Sequence, residues 1–186
     1  MARTEPQYVF MAQKTSAIYK QPAYRWGSLT LFVTIAIILG ALGFEYIGGY
    51  KPCPLCLQQR YAYYVAIPVL FLALILLSAE QHRFALALLF FVSMVFLANS
   101  AFGVYHAGAE WGFWAPPTTC GGTGEALQGG AGKLLSALKN ANIVDCGKPA
   151  LVILGLSLAG WNAIISLCLS IGSLKAAFFA SEEAAI

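Results

Sequence analysis

Charged side chains are scarce in this chain: Asp, Glu, Lys and Arg make up only 10% of its 186 residues, against about 25% in an average soluble domain. Because 59% of the residues are hydrophobic, the chain cannot cover a water-facing surface, which excludes an ordinary soluble protein. The net charge is only +3 and no block of Lys and Arg stands out, so nucleic acid is not an expected partner. No segment alternates polar and apolar residues, which argues against a membrane β-barrel. The composition therefore predicts an all-α integral membrane protein.

Four apolar stretches are long enough to cross a bilayer, since a span needs about 20 such residues for roughly 30 Å of hydrocarbon. The sequence therefore predicts one four-span membrane domain over residues 1–186, a four-helix bundle. The first stretch is too long for the apolar core of a cleaved signal peptide, and we expect it to be retained. The predicted spans are approximately residues 26–47, 61–78, 84–105 and 151–174.

Four spans would place both termini on one side of the membrane and the loops 48–60 and 106–150 on the other. Basic residues flank the first span on its N-terminal side (Lys14, Lys20 and Arg25), and the positive-inside rule therefore predicts cytoplasmic termini. Disulfides persist outside the cytoplasm, and four of the cysteines lie in the two opposite loops. Charge and cysteine placement thus agree on two extracytoplasmic loops.

The longer loop also contains a short amphipathic pattern at residues 133–139. Leu134, Leu135 and Leu138 share one face of a helical turn, with lysines beside them. We expect a short loop helix, either flat on the membrane surface or packed on the loop itself.

Cys53 and Cys56 form a Cys-x-x-Cys motif where the second span begins. Pro54 suits a first helical turn, and the positive end of a helix favours a nearby thiolate. Arg60 follows Cys56 by one helical turn, so we expect the thiolate on Cys56. The spacing favours a labile, redox-active pair, although a static disulfide remains an alternative.

Cys120 and Cys146 are expected to form a second disulfide. It would either staple the long loop or exchange with the Cys53–Cys56 pair in a relay. A zinc site built from all four loop cysteines is disfavoured, because Cys120 and Cys146 lack the short spacing of a second Cys-x-x-Cys; no metal is expected. The fifth cysteine, Cys168, lies within the fourth span and is expected to be a small packing residue.

Arg60 and His106 are candidate ligands for a quinone. Each lies at the end of a predicted span, so both are expected near the same interface. Arg60 would present N–H donors to a carbonyl oxygen, and His106 would bind an oxygen or move a proton. The alternatives are an arginine that reaches lipid phosphates and a histidine that only marks the end of a span.

Over nearly its whole length the chain resembles the bacterial disulfide bond formation protein B (DsbB) family. The resemblance is most specific in the run from Pro52 to Arg60, Pro-Cys-Pro-Leu-Cys-Leu-Gln-Gln-Arg, and extends to Asp145-Cys146 and to the segment 154–162. It implies an inner-membrane, quinone-dependent thiol oxidase that re-oxidises a periplasmic thioredoxin-like (DsbA-like) dithiol oxidase. Both termini would be cytoplasmic and the cysteine loops periplasmic.

The resemblance also implies roles for individual residues. Cys53 and Cys56 would be the pair re-oxidised by ubiquinone or menaquinone, with Cys56 facing the quinone ring and Arg60 contacting it. Cys120 would form the mixed disulfide with the partner protein and Cys146 would be its mate. His106 lies near a family histidine implicated at the quinone.

Two alternative functions are compatible with four spans and a Cys-x-x-Cys motif. A non-enzymatic four-span scaffold would use both disulfides to staple its outer loops. A protein similar to vitamin K epoxide reductase shares four spans and a Cys-x-x-Cys motif, but that motif would normally lie on a later helix.

Overall fold

A computed structural model describes residues 21–115, 146–147, 149 and 151–185 of the chain. Four long helices lie in these residues, and each is long and apolar enough to cross a membrane. They are α1 (Pro22–Tyr46), α2 (Pro54–Ser78), α3 (His82–Glu110) and α4 (Leu158–Glu183). The predicted all-α membrane fold is confirmed, whereas the loop helix at 133–139 lies outside the described residues.

The helices extend beyond the predicted apolar spans, and the start of the fourth helix differs from the prediction. Helix α2 begins at Pro54, as the motif predicted, and so extends the apolar span 61–78 by about two turns; the polar side chains of Gln59 and Arg60 in this extension have partners within the protein. Helix α4 spans Leu158–Glu183 and not 151–174. Before it, β1 (Val152–Ile153) pairs antiparallel with β2 (Leu156–Ser157).

The turn of this hairpin explains why counting apolar residues missed it. Leu154 and Gly155 both adopt positive φ, 53° and 80°, which a two-residue hairpin turn requires and which a side chain such as leucine rarely adopts. The Trp161 indole N–H donates to the Ile153 carbonyl at 3.0 Å and so fixes the hairpin to the first turn of α4.

The chain divides into two compact units, and each helix contributes a segment to both. The first unit takes its described residues from 21–37, 63–97 and 167–185. Ser93 of α3 and Ser170 of α4 each donate a hydroxyl hydrogen bond to the other's carbonyl, at 3.0 and 2.9 Å. His82 of α3 lies 3.5 Å from Glu183 of α4. Small and polar contacts of this kind are the usual means of holding membrane helices together.

The second unit takes its described residues from 38–62 and from the described part of 98–166. Within it α3 and α4 approach closely, since a Cβ atom built on Gly103 would lie 3.0 Å from the backbone of Ala163. The Ser100 hydroxyl donates to the Ala163 carbonyl at 2.8 Å, and the Asn99 amide donates to the Ser166 hydroxyl at 2.9 Å. These contacts fix the register of α3 just before His106.

Candidate functional site

Cys53 and Cys56, named here the motif pair, lie where α2 begins. Their Sγ atoms are 2.9 Å apart, and the backbone N–H of Cys56 donates to Cys53 Sγ at 3.2 Å. Cys53 therefore occupies the N-cap position of α2, where a side-chain acceptor receives a free amide of the first turn. Pro54 follows at the first helical position, which needs no N–H donor. The spacing of the motif thus places both sulfurs at the positive end of the helix.

The surroundings of Cys53 lower its pKa from 9.0 to about 4. The hydrogen bond with the Cys56 side chain is the largest cause, and hydrogen bonds from His106 and from the Cys56 amide add to it. Burial opposes the shift, because it disfavours the charged thiolate. The sequence favoured a thiolate on Cys56, but the structure makes Cys53 the favoured thiolate, because the Cys56 side chain, His106 and the Cys56 amide all hydrogen-bond to the Cys53 sulfur.

His106 of α3 is fully buried, with 1% of its surface exposed, and it joins three helices. Its Nε2 lies 3.5 Å from Cys53 Sγ, and its Nδ1 lies 3.1 Å from the Gln59 side-chain nitrogen on α2. The Asn162 amide of α4 donates to Gln59 Oε1 at 2.8 Å. Because that oxygen is already occupied, the Gln59 nitrogen donates to Nδ1. This hydrogen-bond pattern makes Nδ1 the acceptor and leaves Nε2 as the ring nitrogen that donates towards Cys53.

Glu110 lies one turn after His106 on α3 and belongs to the same cluster. Its Oε1 is 3.9 Å from His106 Nε2, and only 6% of its side chain is exposed. Ser157 hydrogen-bonds to the Glu110 carboxylate, but the buried Oε2 atom has no hydrogen-bond partner within the described part of the chain. Glu110, Gln59 and Asn162 were not among the site residues predicted from the sequence. The sequence feature that could have identified them is a carboxylate or amide in an otherwise apolar helix, because such a group needs a partner there.

Arg60 points towards α1. Its guanidinium forms an ion pair with Glu45 and donates to the Ala41 carbonyl at 3.5 Å. The side chain is 13% exposed, so Arg60 is largely enclosed by protein. Its contacts are with α1, whereas those of His106 are with Gln59, the motif pair and Glu110.

Cys146 is buried and disulfide-bonded, and its predicted partner Cys120 lies outside the described residues. It belongs to one buried cluster with Cys53 and Leu55, against which Cys56 and Phe102 pack. The structure therefore brings the described member of the second pair against the motif pair. Cys168 is exposed on the surface of α4, a helix apolar enough to cross a membrane.

A family model, "Disulfide bond formation protein DsbB", matches residues 24–176. Disulfide bond formation protein B of Methylococcus capsulatus is 32% identical over 145 residues, 75% of this chain and 84% of that protein. Disulfide bond formation protein B 1 of Pseudomonas putida is 31% identical over 162 residues, 83% of this chain and 88% of that protein.

The uncharacterized protein RP370 of Rickettsia prowazekii is 31% identical over 155 residues, 82% of this chain and 87% of that protein. No solved structure gives a significant match. With four membrane-spanning helices, and a family model and relatives that each cover most of its length, this chain belongs to the DsbB family of disulfide bond formation proteins.

Proposed function

We propose that this protein is a quinone-dependent protein thiol oxidase. It re-oxidises a periplasmic thioredoxin-like dithiol oxidase by disulfide exchange and passes the electrons to ubiquinone or menaquinone in the membrane. Family membership supports the coarser statement, a membrane oxidoreductase of disulfide bond formation. The observation that carries the finer proposal is the packing of disulfide-bonded Cys146 against Cys53.

Disulfide exchange requires a thiolate to reach a sulfur of another disulfide. In the proposed sequence the reduced partner attacks Cys120, and the disulfide with Cys146 breaks to release the Cys146 thiolate. Because Cys146 packs with Cys53, that thiolate attacks Cys53 of the oxidised motif pair. A Cys146–Cys53 disulfide forms, the Cys53–Cys56 bond breaks and Cys56 leaves as a thiolate. Each exchange makes one S–S bond and breaks one, so atoms and electrons balance.

Arg60 and His106 are the residues we propose as quinone contacts. The guanidinium has five N–H donors, and its bonds to Glu45 and Ala41 leave others for a carbonyl oxygen. His106 Nε2 is buried beside Cys53, so a quinone oxygen that contacts it would lie against the motif pair. A bound quinone would supply an acceptor for two electrons and two protons.

We also propose the bacterial inner membrane as the location, with both termini cytoplasmic and the cysteine loops periplasmic. The support is the agreement between the basic residues beside α1 and the cysteines of the opposite loops. Reporter fusions after residue 80 and after residue 115 test the orientation. A periplasmic signal from the fusion after residue 80 would contradict it.

The central test uses purified protein, a reduced thioredoxin-like partner and a soluble quinone analogue whose absorbance is followed. Cys56→Ser should abolish quinone consumption, since the motif pair can then no longer form a disulfide. Cys168→Ser is the matched control and should keep full activity, because Cys168 is exposed on α4 and belongs to neither cysteine pair. Quinone consumption that survives Cys56→Ser would contradict the relay.

Arg60 has a separate test. Arg60→Ala should raise the KM for quinone about tenfold, the equivalent of about 1.4 kcal/mol of binding, and leave the KM for the partner protein unchanged. Glu45→Gln breaks the ion pair but keeps the guanidinium, so it should change the quinone KM less. An unchanged quinone KM in Arg60→Ala would mean that Arg60 contacts only α1 or lipid headgroups.

The burial of disulfide-bonded Cys146 also favours a second candidate, a scaffold with stapled loops. Trapping of thiols with an alkylating reagent in living cells separates the two. The oxidase should show thiols that accumulate when quinone is depleted, whereas a scaffold would keep its disulfides closed whatever the supply of electron acceptor.

A further inference from the structure

We propose that the reduced motif pair forms, together with His106 and Glu110, a four-coordinate binding site for Zn²⁺ that is lost when Cys53 and Cys56 join in a disulfide. Two cysteine sulfurs, one imidazole nitrogen and one carboxylate oxygen are all established zinc ligands. The donor atoms of Cys53, Cys56 and His106 lie within 4.8 Å of one another. The site differs from one made by the four loop cysteines, since it uses neither Cys120 nor Cys146.

The distance between Cys53 and His106 agrees with a tetrahedral site, whereas Cys56 and Glu110 must shift to complete it. With Zn–S of about 2.3 Å and Zn–N of about 2.0–2.1 Å, sulfur and nitrogen ligands should be about 3.6 Å apart, and Cys53 Sγ is 3.5 Å from His106 Nε2. Two sulfur ligands should be about 3.8 Å apart by the same geometry, whereas the motif pair is at 2.9 Å. Cys56 must therefore withdraw by about 1 Å, a side-chain rotation for a partly buried residue.

Glu110 supplies an independent observation. A buried carboxylate oxygen without a partner is unusual and calls for a missing hydrogen-bond donor or ion, and Glu110 Oε2 is such an atom among the described residues. Its other oxygen lies 3.9 Å from His106 Nε2, about 0.5 Å more than two zinc ligands require. A cation bound at His106 Nε2 would give the Oε2 atom of this neighbouring carboxylate a partner.

The residues behind His106 can support a metal. Zinc at Nε2 requires the imidazole proton on Nδ1, and Gln59 must then accept that proton with its oxygen. Rotation of the Gln59 amide by half a turn achieves this, and a matching rotation of Asn162 lets its oxygen accept from Gln59. Such an outer partner orients a zinc-bound histidine and strengthens metal binding.

Binding moves no electrons: any protonated thiol of the motif pair releases its proton to solvent, and the two thiolates bind the ion. A disulfide has no thiolate to offer, so zinc binding and oxidation of the motif pair exclude each other. If the proposed function holds, Zn²⁺ would keep the protein in its dithiol state and stop turnover. Only this consequence rests on the proposed function; the site itself rests on the geometry.

The experiment uses the full-length protein in detergent, freed of metal and prepared in both the reduced and the disulfide forms. Zinc affinity is measured by competition with a chromophoric chelator, and Co²⁺ is the spectroscopic probe, because thiolate ligands give it charge-transfer absorption. We expect one equivalent in the reduced form and binding at least about 100-fold weaker in the oxidised form. Equal binding by the two forms, or no binding by the reduced form, would overturn the proposal.

Variants assign the ligands. Cys56→Ser and His106→Ala should each weaken binding at least about tenfold, and Glu110→Gln should do so to a smaller extent. Gln59→Glu should tighten binding, because a carboxylate accepts the Nδ1 proton better than an amide; a gain cannot come from misfolding. Cys168→Ser should have no effect. Binding that survives Cys56→Ser but disappears in Cys146→Ser would place the metal elsewhere and refute the site.

Oxidase activity is measured separately on metal-free protein. Zinc binding by a protein without oxidase activity would still support the site, and an active oxidase that binds no zinc would overturn the site alone.

Discussion

In the reduced protein, Cys53 should remain a thiolate throughout the physiological pH range. With a pKa of about 4 against an ordinary 9.0, the thiolate fraction at pH 5 is already about 90%. The rate at which iodoacetamide alkylates Cys53 should therefore change by less than about twofold between pH 5 and 8. For a cysteine of ordinary pKa the same rate rises about 10³-fold over this range, because only the thiolate reacts.

The shape of the pH profile is more informative than the rate at one pH. A thiolate loses intrinsic nucleophilicity as its pKa falls, with a Brønsted coefficient of about 0.4–0.5, so a five-unit shift slows the thiolate about 10²-fold or slightly more. This loss offsets most of the gain in thiolate fraction at pH 6. The assay is alkylation over short times, followed by mass spectrometry that resolves Cys53 from Cys56, with the denatured protein as the reference.

A single substitution should make the alkylation rate of Cys53 depend on pH again. Cys56→Ala removes the strongest cause of the low pKa, so the midpoint of the Cys53 profile should move from about 4 towards 9.0. Cys168→Ala, the matched control, should leave the profile flat. If folded, reduced protein showed a Cys53 rate rising tenfold per pH unit from pH 5 to 8, the assignment of the thiolate to Cys53 would be refuted.

Three further predictions concern the redox pair and the helix contacts. The reduction potential of the motif pair should fall by about 30 mV per pH unit above pH 4, because the reduced form takes up one proton for two electrons. Two protons for two electrons would give about 59 mV per pH unit. A redox titration at several pH values measures this slope, and a slope near 59 mV would contradict the prediction. Gly103→Ala should destabilise the protein by about 1–3 kcal/mol, since its new methyl group would press on the backbone of Ala163. Gly40→Ala is the control and should not destabilise it, because the space around its Cβ position is open. Thermal unfolding in detergent compares the two variants, and equal effects would argue against close packing of α3 and α4. Ser93→Ala should cost about 1 kcal/mol through its lost interhelical hydrogen bond, while Ser28→Ala, whose hydroxyl bonds only within its own helix at an exposed position, should cost little.

The sequence was sufficient for features that depend on local composition. A run of apolar residues about 20 long requires a helix in a membrane wherever it lies in the chain, so all four spans were predicted. Pro54 also indicated that α2 begins beside the cysteines. The start of α4 was missed because apolar residues are equally compatible with a strand, and the turn at Leu154 and Gly155 depends on a backbone angle that composition does not reveal.

The chemistry of the site needed the tertiary structure. The sequence identified the motif pair and His106, because cysteines at this spacing and a histidine in an apolar segment stand out by residue type. It did not show that Gln59 contacts His106, 47 positions away, or that Asn162 contacts Gln59, 103 positions away. A buried amide must find a partner, but which partner it finds depends on the rotation and register of neighbouring helices. That register is set by small contacts such as those between Gly103 and Ala163, and it decides which sulfur becomes the thiolate and which carboxylate lies beside His106.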